Sequence, residues 1–154
     1  MTQNHSDIRT RFIFDDMPIR GMHIRLEKVW HHIVNQKHYP VAIRRALGEL
    51  LAAGSLLSAN LKNEGTLIVQ VQGQGRLKML VVEATSENTV RATARWDETA
   101  EIRDDESLTA LLGENSVFVL THQPKDADPW QGVVPLEGDS IAQMLVNYMK
   151  RSEQ

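Results

Sequence analysis

Cysteine is absent from this 154-residue chain. That excludes disulfides, thiolate metal sites and a cysteine nucleophile within it, and it removes any direct clue to redox compartment. An excess of basic charge is also missing. With 17 basic and 20 acidic residues the formal net charge is -3, which argues against a general nucleic-acid binder. The opening stretch, MTQNHSDIRTRF, is polar and has no apolar h-region, so no secretory signal is visible and a cytoplasmic location is the default. There is no fixed-period repeat and no low-complexity run. No GxSxG elbow, HExxH helix or serine–histidine–acid order occurs, so the sequence offers no assembled nucleophile, base or metal set.

What is present is an apolar stretch from Val41 to Lys62, VAIRRALGELLAAGSLLSANLK. At helical period Ile43, Ala46, Leu47, Leu50, Leu57 and Leu61 share one face. Ala42, Leu51, Ala53, Leu56 and Ala59 fill the other faces. A helix apolar nearly all round is buried on most sides. Gly48, Glu49 and Gly54 interrupt it, and it is too short to read as a membrane span. Gly54 costs about 1 kcal/mol relative to alanine in a helix interior, a cost explained by close approach of another backbone. With hydrophobic content of 42% and charged content of 24%, the chain suits one globular domain wrapped around this helix.

Taken in order, Met1–Asp7 is polar and expected to fray. Arg11–Phe14 reads as a short strand with Phe12 and Phe14 on one side. Met22, Ile24 and Leu26 alternate with charged residues in a half-buried strand. Val29–Val34 is a short amphipathic helix, broken at His38-Tyr39-Pro40. The segments 66–72, 77–84 and 90–96 read as strands joined by short turns, an antiparallel meander. Between the first two, Gly73-Gln74-Gly75 reads as a hairpin with glycines at φ > 0. A dinucleotide loop would need a helix after it, and a strand follows. An acidic loop runs from Asp97 to Ser107. Ser107 caps a short helix that ends at Gly113. Strands follow at 116–122 and 130–136, with Pro135 marking an end or an edge. Ser140 and Gln143 fit a capping box for a last helix carrying Ile141, Met144, Leu145, Tyr148 and Met149. His31 and His32 are adjacent and lie about 100° apart on a helix, so they are not a ligand pair. Arg44 and Arg45 read as a solvated ramp.

Two blocks carry a resemblance. HYPVAIRRALGELLAAGSLLSANLKNEGTLIVQVQGQGRLKMLVVEA resembles the central part of the heat-shock protein 33 family, the bacterial redox-regulated holdase chaperones. WQGVVPLEGDSIAQMLVNYMKRSEQ is similar to the same family's segment before its linker. The resemblance implies an α+β fold, two β-sheet layers packed around a long, largely buried central helix, with Leu47, Leu50, Leu57 and Leu61 in its core. It implies one chaperone core domain over residues 1–154 that binds unfolding client proteins without ATP or catalysis. It also implies zinc held by a C-terminal CxC…CxxC module, which is absent here together with the linker. The expected client-binding residues are Phe12, Phe14, Met144, Tyr148 and Met149, since methionine-rich stripes suit adaptable binding. The rival expectation is a folding and dimerisation scaffold, a possible homodimer whose apolar surface takes its own linker. Neither expects nucleic acid or membrane as a partner.

Overall fold

A computed structural model describes residues 6–152. Its centre is α2 (Val41–Ser58), in which Ile43, Leu47 and Leu50 are fully buried. One side of α2 packs on a five-stranded antiparallel sheet. The strands are β3 (Gly65–Gln72), β4 (Leu77–Thr85), β5 (Val90–Trp96), β6 (Val117–Pro124) and β7 (Trp130–Pro135), in the order β5-β4-β3-β6-β7. Alternation puts Leu67, Val69 and Val71 of β3, Leu80 and Val82 of β4, and Phe118 and Leu120 of β6 against the helix. The other side of α2 is covered by a separate two-stranded ribbon, β1 (Asp7–Ile13) paired with β2 (Arg20–Leu26), and by α1 (Lys28–Val34). The fold is therefore α+β, two antiparallel sheets with α2 between them. Helices α3 (Leu108–Leu112) and α4 (Ile141–Ser152) close the helical layer beside α2.

The expected elements are present, with instructive shifts. β1 starts at Asp7 rather than Arg11, because pairing with β2 organises it and not burial of its own side chains, all of which are exposed. Asp7 is thus structured, and the fraying expected at residues 1–5 lies outside the described residues. Asp7 Oδ1 also accepts the N–H groups of Lys28 and Val29, at 3.0 and 3.4 Å, and so caps α1 from a different element. α2 stops at Ser58, short of Lys62. The hydroxyls of Ser55 and Ser58 bond back to the carbonyls of Leu51 and Ser55, and Asn60 and Leu61 then close tighter three-residue turns. Leu57 and Leu61 consequently pack half-buried at the margin of the core, whereas Leu47 and Leu50 lie inside it.

Two glycine expectations are corrected. An added Cβ at Gly54 would lie 2.8 Å from Cγ1 of Val82, so a strand side chain, not a backbone, requires the glycine. Gly73 and Gly75 are not among the glycines at positive φ, which are Gly113 and Gly138. They are needed for close approach: the loop lies on the end of α3, where the N–H groups of Gln74 and Gly75 donate to the Leu112 carbonyl at 2.9 and 2.8 Å. The meander is observed, but β6 inserts on the far side of β3. Pro135 does lie on an edge strand. Ser140 Oγ accepts from Gln143 N at 3.2 Å, yet the Gln143 side chain turns to Asn147, so only half of the capping box forms.

The acidic loop is held by a cation from the hairpin. Arg76 Nη1 donates to the Glu101 carbonyl at 2.9 Å and to Glu106 Oε1 at 2.7 Å, with Nη2 lying 2.5 Å from Oε2. The hydrogen bond from Arg76 holds the Glu106 carboxyl below the usual glutamate range, against the opposing effect of desolvation. A lowered folded value means that the stabilisation is complete above the ordinary glutamate pKa and is lost as pH falls through the folded value. Glu106→Gln should therefore lower stability at neutral pH and flatten this acid-side decline. Urea melts between about pH 3 and 7 read the slope; an unchanged profile would exclude the pair as an acid-sensitive tie.

Candidate functional site

The ribbon carries the densest exposed apolar surface. Its register pairs Ile8 with Arg25, Thr10 with His23 and Phe12 with Gly21, and residues directly opposite share a face. Ile8, Phe12 and Phe14 therefore project outward. Met22, Ile24 and Leu26 of β2 alternate with them and are half-buried, facing α2. The Phe12 ring lies across Gly21, leaving no room for a Cβ there. Phe14 meets Phe12 edge-on, with ring centroids 5.9 Å apart and planes at 77°. The turn closes through Phe14 N–H to the Ile19 carbonyl at 2.9 Å and leaves Ile13, Met17 and Ile19 exposed. On the inner face Arg11 Nη2 donates to the Ala59 carbonyl at 2.9 Å, a cation at the C-terminus of α2 that ties the ribbon to the body.

The α4 candidates divide. Met144 is 3% exposed, so it belongs to the core and offers no contact surface. Tyr148 is half-buried against Phe118, with ring centroids 5.5 Å apart, and burial raises its phenol pKa above the ordinary value. Met149 is exposed, as is Val146. Phe12 and Phe14 on one side and Met149 on the other sit on elements that share no substantial packing, so the five expected residues do not form one patch. Ile8, Ile13, Met17, Ile19, Trp130 and Val133 are exposed apolar residues that sequence reasoning passed over. The Met17-Pro18-Ile19 stretch carried a signal, since apolar residues flanking a turn proline have no core to enter.

Among the described residues no helix or strand lies over the face of the five-stranded sheet turned away from α2, although Val119 and Thr121 on that face are buried by their neighbours. This face presents Ile68, Gln70, Val81 and Val133, with Thr121 Oγ1 accepting from Gln131 Nε2 at 2.9 Å. A cleft of about 380 Å³ lies between the ribbon, α2 and the β4–β5 turn, lined in part by Asp7, Arg9, Ser55, Ser58 and Asn88. The Ser55 and Ser58 hydroxyls are spent on helix carbonyls, and the Asp7 carboxylate caps α1. Among the described residues no group of three or more histidine, cysteine, aspartate or glutamate side chains is placed to hold a metal ion. No helix among the described residues is long and apolar enough to cross a membrane.

The Hsp33 protein family model matches residues 7–154. The chain belongs to the Hsp33 family. Among curated Hsp33 relatives, a 33 kDa chaperonin of Neisseria meningitidis serogroup A is 83% identical over 151 residues, covering 98% of this chain and 50% of the relative. A 33 kDa chaperonin of Chromobacterium violaceum is 49% identical over 156 residues, covering 100% of this chain and 52% of the relative. A solved crystal structure of a 33 kDa chaperonin from Thermotoga maritima shares the fold, with a TM-score of 0.83 at 23% identity, over 98% of this chain and 52% of that one. The chain thus spans about half the length of these Hsp33 relatives. The blocks on which the resemblance rests, around α2–β4 and β7–α4, both lie inside the matched span.

Proposed function

We propose that this chain is the core domain of an ATP-independent holdase chaperone of the cytoplasm, which binds apolar segments of unfolding proteins and slows their aggregation. The observation that carries this reading is the ribbon: Ile8, Phe12, Phe14, Met17 and Ile19 are each between 37% and 49% exposed, on a domain whose core is complete without them. Monomeric proteins rarely expose a contiguous apolar patch larger than a few hundred Å² unless it binds something. The names of the relatives, 33 kDa chaperonins, support the same reading. Redox control through zinc and thiolates belongs, on this reading, to the part of the longer relatives that this cysteine-free chain does not span.

The test is light scattering of a heat-denaturing client with equimolar purified chain. Aggregation should slow, and a thiol-specific oxidant should leave that slowing unchanged. Replacing both Phe12 and Phe14 with serine should require several times more chain for the same protection, because exposed aromatic anchors dominate such contacts. The melt should move little, since neither ring is in the core. Undiminished aggregation with the unaltered chain would reject the holdase reading.

A scaffold reading is favoured by one observation, the half-length coverage of the relatives, which leaves a segment free to take the apolar surface. On this reading the surface serves the chain's own linker or a second copy in a homodimer. Adding the relatives' downstream segment in trans discriminates the two. Saturable binding of that segment without any protection of client would replace the holdase with the scaffold.

A further inference from the structure

The two sheets have four outer edges, β1 and β2 in the ribbon and β5 and β7 in the larger sheet, and three of them differ in how they are protected. On β5, Lys37 Nζ reaches the Ala94 carbonyl at 3.4 Å and Thr93 Oγ1 at 3.1 Å, so a charged side chain blocks that edge. On β7, Pro135 removes a donor from a short strand. β1 contains no proline, no lysine and no bulge; the charges it carries are Asp7, Arg9 and Arg11, on the face toward α2.

The register shows what β1 offers. Glu27 N–H donates to the Ser6 carbonyl at 3.2 Å, and Phe14 N–H to the Ile19 carbonyl at 2.9 Å. Both fall in step with the pairs between them. The even-numbered Ile8, Thr10 and Phe12 thus turn their N–H and C=O groups to β2, and Arg9, Arg11 and Ile13 turn theirs to an edge that no strand among the described residues occupies. Side chains alternate with the same period. By register the even residues share the face of Gly21, His23 and Arg25 and the odd ones carry Arg9 and Arg11 on the face toward α2, and both Ile8 and Arg9 border the cleft.

Resting on the holdase reading, we infer that β1 captures its clients by main-chain pairing along this free edge. The occupant is an extended segment, antiparallel to β1, in which apolar residues alternate with acidic ones. Residues opposite each other in an antiparallel pair share a face. The client residues that exchange hydrogen bonds with Arg9 and Arg11 therefore project on the face of those arginines, and an acidic side chain matches Arg9, Arg11 being bonded to the Ala59 carbonyl. The intervening client residues extend the row of Ile8, Phe12 and Phe14. Recognition through the backbone explains how one surface serves many sequences: the hydrogen bonds ask for an extended strand, and the side chains ask only for alternation.

The geometry separates two sets of peptide amides. The bonding N–H groups belong to the acidic residues of the client, and the amides of the apolar residues face away. A dye-labelled peptide alternating phenylalanine or valine with glutamate should bind the 154-residue chain in an anisotropy titration. N-methylation of its glutamate amides should weaken binding on the order of tenfold or more, and N-methylation of its apolar amides should leave binding nearly unchanged. Amide exchange at Arg9 and Arg11 should slow when the unmethylated peptide is added. Arg9→Glu should weaken binding of the acidic peptide without moving the melt, because the Arg9 side chain is exposed.

Equal binding of both methylated peptides would overturn main-chain pairing in favour of side-chain capture. Protection of the Arg9 amide that grows with protein concentration, without peptide, would overturn it in favour of a second copy. If aggregation is slowed but the peptide fails to bind, this inference falls and the holdase reading stands. If aggregation also proceeds unchecked, both fall.

Discussion

Leu50→Asp should abolish the cooperative thermal transition of this chain. Leu50 is 0% exposed in the middle of α2, with Leu47 and Leu51 beside it at 0% and 1%. α2 has the five-stranded sheet on one side and the ribbon on the other, so the new carboxylate has no short path to water. The substitution loses the burial of a leucine, worth about 2 kcal/mol or more, and adds several kcal/mol for an unpaired charge or its enforced protonation. Against a total stability of about 5–15 kcal/mol, that is enough to unfold most of the population. Circular dichroism between 20 °C and 90 °C, temperatures at about which such domains melt, reads the outcome directly. Leu50→Met keeps volume and apolarity, and should cost less than about 1.5 kcal/mol. A cooperative melt retained in Leu50→Asp would mean that α2 is not enclosed as described.

The second large effect comes from a single added methyl group. At Gly75 an added Cβ would press on the Leu111 carbonyl oxygen and approach the Leu112 carbonyl carbon to 2.9 Å. The three nearest atoms are all backbone, so no rotamer change relieves the overlap. On the opposite side Gly113, at φ 75°, already places its own backbone against Gly75. Gly75→Ala must therefore lift the β3–β4 loop off α3 and strain or break two hydrogen bonds to the Leu112 carbonyl. The expected cost is about 3 kcal/mol, a fall in melting temperature of roughly 5–10 °C. Exchange of the Gln74 and Gly75 amides should speed up together. Gln74→Ala, at an exposed side chain one residue away, is the control and should be nearly silent. A melt unchanged by Gly75→Ala would show that the loop does not rest on α3.

This loop also illustrates which parts of the fold were legible in the sequence. Glycines between two strand-like runs announce a hairpin, and the hairpin is there. The reason for glycine is not local: it is the approach of α3, some forty residues downstream, which no turn statistic contains. The strands of the meander were legible because short runs rich in β-branched and apolar residues, such as TLIVQVQ, are bracketed by turn residues. The insertion of β6 beside β3 was not, because no short turn joins them and pairing across a long connection leaves no mark in either segment. α2 was legible from its apolar pattern, but its end was not, since serine hydroxyls decide it through bonds to their own helix. The site divides in the same way. Phe12 and Phe14 could be picked out because they stand two apart beside charged neighbours. Met144 and Met149 look alike in sequence, yet their positions on α4 place one inside and one outside. Val133 and Val134 look alike in sequence, yet strand alternation pairs Val134 with the buried Phe118 toward α2 and leaves Val133 exposed on the outer face.

The place of β3 at the centre of the sheet also governs how fast the molecule assembles. Its pairing with β4 needs only the short loop around Gly73, whereas its pairing with β6 brings Gln72 to Val117 and closes a long stretch of chain. Loop closure costs entropy before any contact repays it, and topologies rich in distant strand pairs fold in milliseconds to seconds rather than microseconds. Until β6 arrives, β3 is itself an open edge, and the apolar side chains that will sit beneath Phe118 and Leu120 face water. A chain proposed to guard other proteins from aggregation thus passes, on its own way to the native state, through the hazard it is proposed to relieve.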